Sequence, residues 1–466
     1  MTPTTYWAEH AWLGSTVEPD VTITVGADGR ITGATPGAGG PPPGSETLRG
    51  LTLPGLANAH SHAFHRALRG TVQVGSGTFW TWRETMYQFA ARLTPDTYYT
   101  LARAVYAEMA LAGITCVGEF HYLHHAPGGE RYADPNAMGA ALIAAAAAAG
   151  IRVTLLDTAY LASGFGVRGT TGRGGPAAGG APPDRHQLRF SDGTADAWAE
   201  RVSELKPREH ARIGAAIHSV RAVPAGQLPV VAAWARERGA PLHVHLSEQP
   251  AENRACAGAH GLSPTALLAA EGVLSPSLTA VHATHLDDED IGLLGRSRTR
   301  ISMCCTTERD LADGVGPAVR LAAAGSPLCV GSDAHMAIDL WEEVRAIELD
   351  ERLVSGSRGH LRAEELLRAA TADGSAALGW DAGHIAVGRP ADLTTVRLDS
   401  PRTAGARSGD VLAHAVFAAT AADVSTVLVG GRSVVTDGHH LTVADPGAAL
   451  EEAIARALGA GAPVRR

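Results

Sequence analysis

The sequence has almost no lysine and no block of basic residues. Lys206 is its only lysine, the other positive charges are arginines, and the formal net charge is -9. A chain that binds nucleic acid or an anionic membrane surface normally presents a basic patch. We therefore expect neither kind of partner.

Cysteine and long apolar runs are also scarce. The five cysteines show no C-x-x-C spacing, so we expect a reducing compartment and no disulfide framework. The longest apolar run, Ala140 to Ala149, is short and rich in alanine, which is typical of a packed helix rather than a membrane span. Met1 to Trp12 lacks a basic region followed by an apolar run. These features predict a cytoplasmic protein.

Strand patterns occur at both ends of the chain. Val21–Val25 alternates before a turn at Ala27–Arg30, and similar patterns return at Ala391–Val396 and Ser425–Val429. The 466 residues are enough for a large barrel and a smaller domain. We predict a small β-sandwich domain from residues 1–52 and 385–440, a barrel over 53–384, and a C-terminal helix or tail over 441–466.

The middle of the chain alternates between apolar strands and amphipathic or alanine-rich helices. Eight such strands with helices between them favour an α/β fold, a (β/α)8 TIM-like barrel, over an open sheet. A Gly/Pro/Arg-rich stretch, Gly164 to Pro183, predicts a mobile insertion on the barrel rim. The predicted barrel strands are Leu51–Leu56, Ile114–Val117, Val153–Asp157, Ile213–His218, Leu242–His245, Thr279–His282, Ile301–Cys304 and Leu328–Gly331.

The first predicted strand leads into the pair His60 and His62. Residues two apart on a strand share a face, so both imidazoles can point into the barrel mouth, where nitrogen ligands suit zinc. Taken alone, the pair could equally be two hydrogen-bonded histidines at a strand end.

Three later strands end in further polar residues. His245 is the better metal ligand of the fifth strand because Glu248 follows three residues later, within reach of a metal-bound water, while His243 could be structural. His282 could bind the metal or hydrogen-bond the leaving group or oxyanion. Asp333 could complete the ligand set and accept a proton, or cap a helix. Together these positions predict a metal-dependent hydrolase.

Lysine also bears on the number of metals. Two-metal barrel hydrolases often bridge their ions with a carboxylated lysine on the fourth strand. Here that strand ends in His218, and Lys206 precedes it. The sequence therefore predicts one divalent metal, with Zn²⁺ expected and Fe²⁺ or Mn²⁺ as alternatives.

The motifs resemble the amidohydrolase superfamily and, within it, the formimidoylglutamate deiminases. The H-x-H pair is common to the superfamily, and the other segments are more specific to the subfamily. The matching segments are Leu53–Phe64, Phe79–Glu84, Glu119–Tyr122, His218–Arg221 and Thr306–Gly314.

The resemblance implies a role for each matching residue. His60, His62, His245 and Asp333 match metal ligands, and Glu248 and His282 match a catalytic pair. The substrate-binding positions are Tyr122, His218 and Arg221, with Arg83 as a further carboxylate contact and His65 where the family pattern has Gln. The implied reaction is hydrolysis of N-formimino-L-glutamate to N-formyl-L-glutamate and ammonia in histidine degradation, by a homodimer.

The residues themselves support an acidic substrate, because guanidinium groups such as those of Arg83 and Arg221 bind carboxylates well. Two alternatives stay open. The same metal set would serve a deaminase of a purine or pyrimidine analogue. A barrel that has become a non-catalytic scaffold is the other alternative, although such proteins usually lose ligands.

Overall fold

The structure, a computed structural model, describes residues 3–71, 73, 77, 79–166, 180–406 and 410–459. The chain begins with four strands, in which alternate residues such as Val21, Ile23 and Val25 are buried. Their bounds are β1 (Thr4–Trp12), β2 (Val17–Val25), β3 (Ile31–Thr35) and β4 (Glu46–Pro54).

The next strands form an eight-stranded parallel sheet that curls into a barrel. Its first and last strands meet through a parallel bridge between Ser61 and Asp333. The strands are β5 (Leu56–Ser61), β6 (Ile114–His121), β7 (Arg152–Ala159), β8 (Ala211–Ile217), β9 (Leu242–Leu246), β10 (Leu278–His282), β11 (Arg300–Met303) and β12 (Leu328–Val330).

One strand differs from its prediction. Leu51 to Pro54 belongs to β4 rather than to the barrel, and the first barrel strand begins at Leu56. The chain crosses between the two sheets at Gly55, where an added Cβ would lie 2.2 Å from the hydroxyl oxygen of Thr115. Apolar content alone could not reveal this crossing, because residues on both sides of it are buried.

Four late strands complete the first sheet. They are β13 (Leu393–Val396), β14 (Val424–Val429), β15 (Arg432–Thr436) and β16 (His439–His440). The order is β16-β15-β14-β13-β4-β1-β2-β3, and the antiparallel pairing of β13 with β4 joins the two ends of the chain. The fold prediction, a barrel with a small β domain from both termini, is confirmed. The predicted domain boundaries and the sandwich description stay predictions.

Helices alternate with the barrel strands and carry clear end signals. Thr94 forms a capping box before Pro95, and Gly150 ends the alanine-rich helix with a φ of 78°. The helices are α1 (Phe79–Ala90), α2 (Pro95–Leu111), α3 (Ala137–Ala149), α4 (Ala195–Ser203), α5 (Leu228–Glu237), α6 (Pro250–His260), α7 (Pro264–Ala270), α8 (Asp288–Arg296), α9 (Cys305–Asp310), α10 (Ala318–Ala324), α11 (Leu340–Ser355), α12 (Ala363–Ala369), α13 (Ala372–Ala377), α14 (Val411–Ala418) and α15 (Pro446–Ala457).

The main core lies between the barrel and its helices. A smaller hydrophobic cluster that includes Tyr6, Ile23 and Leu428 lies on the first sheet, which we call the terminal sheet because both ends of the chain build it. None of the described helices combines the length and the apolar character needed to cross a membrane. Most of the predicted rim loop, residues 167–179, lies outside the described part of the chain. Its two ends meet in a bridge between Gly164 and Ala181.

Candidate active site

The polar residues predicted at the strand ends converge at the carboxyl end of the barrel. His60 lies in β5 and His62 just after it, His245 lies in β9, His282 ends β10, and Asp333 follows β12. Parallel strands bring their carboxyl ends to one rim, so residues far apart in sequence meet there.

Several of these strand ends have unusual backbone conformations. The φ angle is 50° at Ser247, 70° at His282, 51° at Ala283 and 39° at Asp333, although none is glycine. Left-handed conformations are costly for residues with a side chain, and they concentrate at functional sites. Here they turn the chain sharply at the rim where the candidate side chains meet.

Four candidate ligands lie in direct contact. The Nε2 atoms of His60 and His245 are 3.1 Å apart, and Asp333 Oδ1 is 3.2 Å from His60 Nε2 and 3.4 Å from His62 Nε2. In a tetrahedral site with metal–nitrogen bonds of about 2.0–2.1 Å, neighbouring ligand atoms lie about 3.3 Å apart. The observed separations fit such a site.

The hydrogen bonds of the imidazoles fit a metal as well. Nδ1 of His62 is 2.9 Å from the carbonyl oxygen of Phe120, and Nδ1 of His245 is 2.9 Å from that of His218. A carbonyl only accepts, so each Nδ1 carries the proton and each Nε2 lone pair faces the cluster, as metal ligands require. Lone pairs that converge beside a carboxylate call for a cation between them.

Burial sets the charge of these groups. It lowers the pKa of His60, His62 and His245, which keeps the three rings neutral. Burial would raise the pKa of Asp333, but its hydrogen bond with His60 and the neighbouring imidazoles, among them the charged ring of His282, outweigh burial and hold that pKa well below its usual range. Neutral imidazoles and an ionised carboxylate are the forms that bind a divalent metal.

Beside this cluster lies an acid–base group. His282 Nε2 is 3.9 Å from Oε1 of Glu248 and 3.9 Å from Oδ2 of Asp333, and His282 Nδ1 is 3.3 Å from Oε1 of Glu308. Burial opposes charge on His282, but these carboxylates raise its pKa to about 10. Burial raises the pKa of Glu248 to about 7, a value suited to a group that both takes up and releases a proton near neutrality.

A cleft opens over these groups and encloses about 610 Å³ of atom-free space including its mouth. Two guanidinium groups, those of Arg83 and Arg221, line it together with the aromatic side chains of Trp82 and Tyr160. Ten of the eleven predicted site residues line this cleft, and His60 lies directly beneath, in contact with His245 and Asp333. Their roles as ligands, catalysts and substrate contacts stay predictions.

The predicted substrate-binding residues are linked to each other and to the imidazole cluster. His65 Nε2 lies 3.2 Å from the hydroxyl of Tyr122, and the His65 ring stacks edge-on against Trp82 at 5.0 Å. His218 contacts the ring of Tyr160 at 4.3 Å. Burial lowers the pKa of His65 to about 3, so a neutral ring stands where the family pattern has Gln.

The structure adds carboxylates to which the sequence assigned no role. Glu308 accepts from the backbone N–H of Cys304 at 3.0 Å and contacts His282. Glu252 lines the cleft near Arg221. Glu308 lies within Thr306–Gly314, a segment that resembles the subfamily, and this resemblance was the sequence signal that could have indicated a role for it. Glu252 lies four residues after Glu248 in the sequence, a spacing that points equally to a solvent-facing carboxylate.

A second His/Asp group lies elsewhere in the described residues, formed by His121, His124 and Asp157. It does not fit a metal. Both oxygens of Asp157 accept from Arg201, at 2.8 and 3.0 Å, and Oδ1 also accepts from Trp198 at 2.9 Å. The carboxylate is already satisfied, and the guanidinium repels a second cation, so this group is structural.

Comparison with known proteins identifies the family of the chain. The amidohydrolase family model matches residues 51–434, and the chain belongs to this family. It is 38% identical over 447 residues to the formimidoylglutamate deiminase of Pseudomonas aeruginosa, covering 93% of this chain and 95% of that protein. It is 30% identical to the 8-oxoguanine deaminase of the same organism, covering 84% of each chain.

The structural relatives share the whole fold. A crystal structure of an amidohydrolase from Brucella melitensis superposes with a TM-score of 0.87 at 31% identity, covering 98% of this chain and all of that one. An adenosine deaminase from Xanthomonas campestris with bound zinc has a TM-score of 0.80 at 23% identity, with 98% of both chains covered, and shows the fold alone. The chain is thus a hydrolase acting on carbon–nitrogen bonds, and the findings support a deiminase role.

Proposed function

We propose that this protein is a metal-dependent iminohydrolase that converts N-formimino-L-glutamate and water into N-formyl-L-glutamate and ammonia in histidine degradation. The observation that carries the proposal is the pairing of two guanidinium groups, Arg83 and Arg221, with the acid–base group around His282 in one cleft. Guanidinium groups can bind the two carboxylates of this substrate in a bidentate way, which would place its formimino group beside the acid–base group.

In this proposal His60, His62, His245 and Asp333 hold one divalent metal. Zinc is the expected ion, and Fe²⁺ or Mn²⁺ would also suit these ligands. When bound, such an ion supplies Lewis-acid activation of a water molecule.

The chain's own residues then move the protons. Asp333 accepts a proton from the attacking water, whose oxygen forms a bond to the formimino carbon. His282, held charged by its carboxylate neighbours, donates a hydrogen bond to the oxygen of the tetrahedral intermediate. Glu248 carries two protons to the departing nitrogen: its own as the carbon–oxygen bond forms, and then the hydroxyl proton of the tetrahedral intermediate, which it takes up as the carbonyl forms. The carbon–nitrogen bond breaks, ammonia leaves, and the proton held by Asp333 returns to Glu248.

The substrate is oriented from the far side of the cleft. Arg83 and Arg221 bind its carboxylates, and Tyr122, His218 and His65 provide further hydrogen bonds. We also propose that the enzyme is cytoplasmic, works as a homodimer and takes a small dicarboxylate as its partner, without nucleic acid or membrane.

The test is ammonia release by the purified, metal-loaded enzyme. Rapid release from N-formimino-L-glutamate, with N-formyl-L-glutamate as the second product, supports the proposal. Release from 8-oxoguanine or 5′-methylthioadenosine instead would favour an aromatic deaminase, for which the ring-lined cleft offers some support. A protein that binds no metal and turns over neither class would point to a scaffold.

A further inference from the structure

The barrel closes at the candidate metal site. β12 ends at Val330, and the following loop pairs with β5 through the Ser61–Asp333 bridge. The Asp333 N–H donates to the carbonyl of His60 at 3.0 Å, and the His62 N–H donates to that of Asp333 at 3.3 Å. An added Cβ at Gly331 would lie 2.6 Å from the Cβ of His60. The first strand and the loop after the last strand are therefore in backbone contact where the candidate ligands stand.

A line of buried hydrogen bonds crosses this junction, and none of its members has a role in the proposed reaction. Asn58 Nδ2 lies 2.7 Å from Ser332 Oγ, which lies 2.9 Å from His335 Nδ1. On the other side of the His335 imidazole ring, Nε2 lies 2.9 Å from Ser61 Oγ, and the Ser61 hydroxyl donates to Glu119 Oε2 at 2.7 Å. Asn58, Ser61, Glu119, Ser332 and His335 are all fully buried.

One backbone group sets the direction of every bond in this line. The Ser332 N–H can only donate, and it donates to Asn58 Oδ1 at 3.0 Å, so Asn58 Nδ2 must face Ser332 Oγ and donate to it. The Ser332 hydroxyl proton is then directed to His335 Nδ1, which accepts. The ring proton of His335 is left on Nε2, from which it is donated to Ser61.

The ends of the loop are held independently. Arg66 Nη1 donates to the carbonyls of His335, at 2.6 Å, and Met336, at 3.0 Å, while Arg66 also pairs with Glu108. The φ angle of His335 is 58°, so two left-handed residues, Asp333 and His335, lie within one short loop. Such a backbone persists only where the surroundings hold it. The His335 side chain links this loop to Ser61, the residue between His60 and His62.

We propose that His335 is a positioning residue that sets the spacing of His60 and His62 from Asp333 by tying Ser61 to the loop after β12. It does not line the cleft, and its ring nitrogens hydrogen-bond to Ser61 and Ser332. Its loss should let the loop drift from β5, so that Asp333 no longer meets His60 and His62 at 3.2 and 3.4 Å. This inference rests on the proposed metal site, but not on the identity of the substrate.

The test is metal affinity, measured without substrate. Zn²⁺ is titrated against a chromophoric chelator with the metal-free full-length protein, and the visible spectrum of the Co²⁺ form reports ligand geometry. The variants are His335→Ala, which removes the link, His335→Gln, which keeps a donor for Ser61, and Ser61→Ala, which breaks the link from β5. His440→Ala is the matched control, because His440, in β16, is also a buried and hydrogen-bonded histidine, its partner being the backbone carbonyl of Ala149.

Loss of a group that orients metal ligands typically weakens metal binding by about 10–100-fold. We expect such a loss and an altered Co²⁺ spectrum in His335→Ala and Ser61→Ala, partial recovery in His335→Gln, and wild-type affinity in His440→Ala. Wild-type affinity and spectrum in both His335→Ala and Ser61→Ala would overturn the inference. If His335→Ala does not fold, Ser61→Ala decides alone. Absence of ammonia release from N-formimino-L-glutamate would refute the proposed function and leave this result standing.

Discussion

Acid should destabilise this protein through the buried cluster behind the second barrel strand. His124 Nε2 donates to the carbonyl of Thr158 at 2.9 Å, close to the pair formed by Arg201 with Asp157. Burial, aided by the Arg201 charge, lowers the pKa of His124 from 6.5 to about 4. The unfolded chain therefore takes up a proton that the folded protein resists.

The direction and size of the change in unfolding free energy with pH follow from this pKa shift. Because the folded pKa is depressed, the stabilising contribution is present above pH 6.5 and is lost as the pH falls toward 4. At about 1.4 kcal/mol per pKa unit, His124 alone should cost about 2 kcal/mol of unfolding free energy between pH 7 and pH 5. Asp157, whose pKa its ion pair with Arg201 lowers to about 2 against the effect of burial, adds a further loss only below about pH 4.

The assay is denaturant unfolding at pH 7 and pH 5 for the parent, His124→Gln and His439→Gln. The Gln side chain can still donate to Thr158 but does not titrate, so the stability of His124→Gln should fall about 2 kcal/mol less than that of the parent. His439 is exposed, and its variant should follow the parent. If His124→Gln and the parent lose the same free energy between the two pH values, the reasoning about this cluster is wrong.

Three further predictions concern the cleft and the barrel closure. Glu248→Gln should retain its metal but lose about 10²-fold or more in kcat for ammonia release, because the group cannot shuttle a proton; normal turnover would refute this role. Arg221→Lys should weaken kcat/KM for N-formimino-L-glutamate about tenfold or more, since lysine lacks the bidentate fork; an unchanged value would mean that Arg221 does not bind the substrate. Gly331→Ala should lower metal content and cost about 1–3 kcal/mol of stability, because its Cβ would collide with His60. Gly226→Ala, where nothing lies within 4 Å of the new Cβ, is the control for metal analysis and thermal unfolding, and equal behaviour of the two would contradict the argument.

The alternation of apolar strands and helices was enough to predict the barrel and the small β domain, since periodicity is a local property of the chain. The candidate ligands could be found in the same way. His60 and His62 share a face because they are two residues apart, and His245, His282 and Asp333 each lie at or near the end of an apolar strand. In a parallel barrel, all strand ends of one polarity meet at one rim.

Other features depended on contacts between distant segments. Leu51–Pro54 is as apolar as a barrel strand, and its pairing with β1 and β13 assigns it to the terminal sheet. Glu308 acquires its relation to His282 through the fold of α9 against β10. The line from Asn58 through His335 to Glu119 includes hydrogen bonds between residues 274 positions apart, and it forms only because the barrel closes between its first and last strands. A local pattern determined which residue types stand at each strand end, whereas closure of the sheet decided which of them are neighbours.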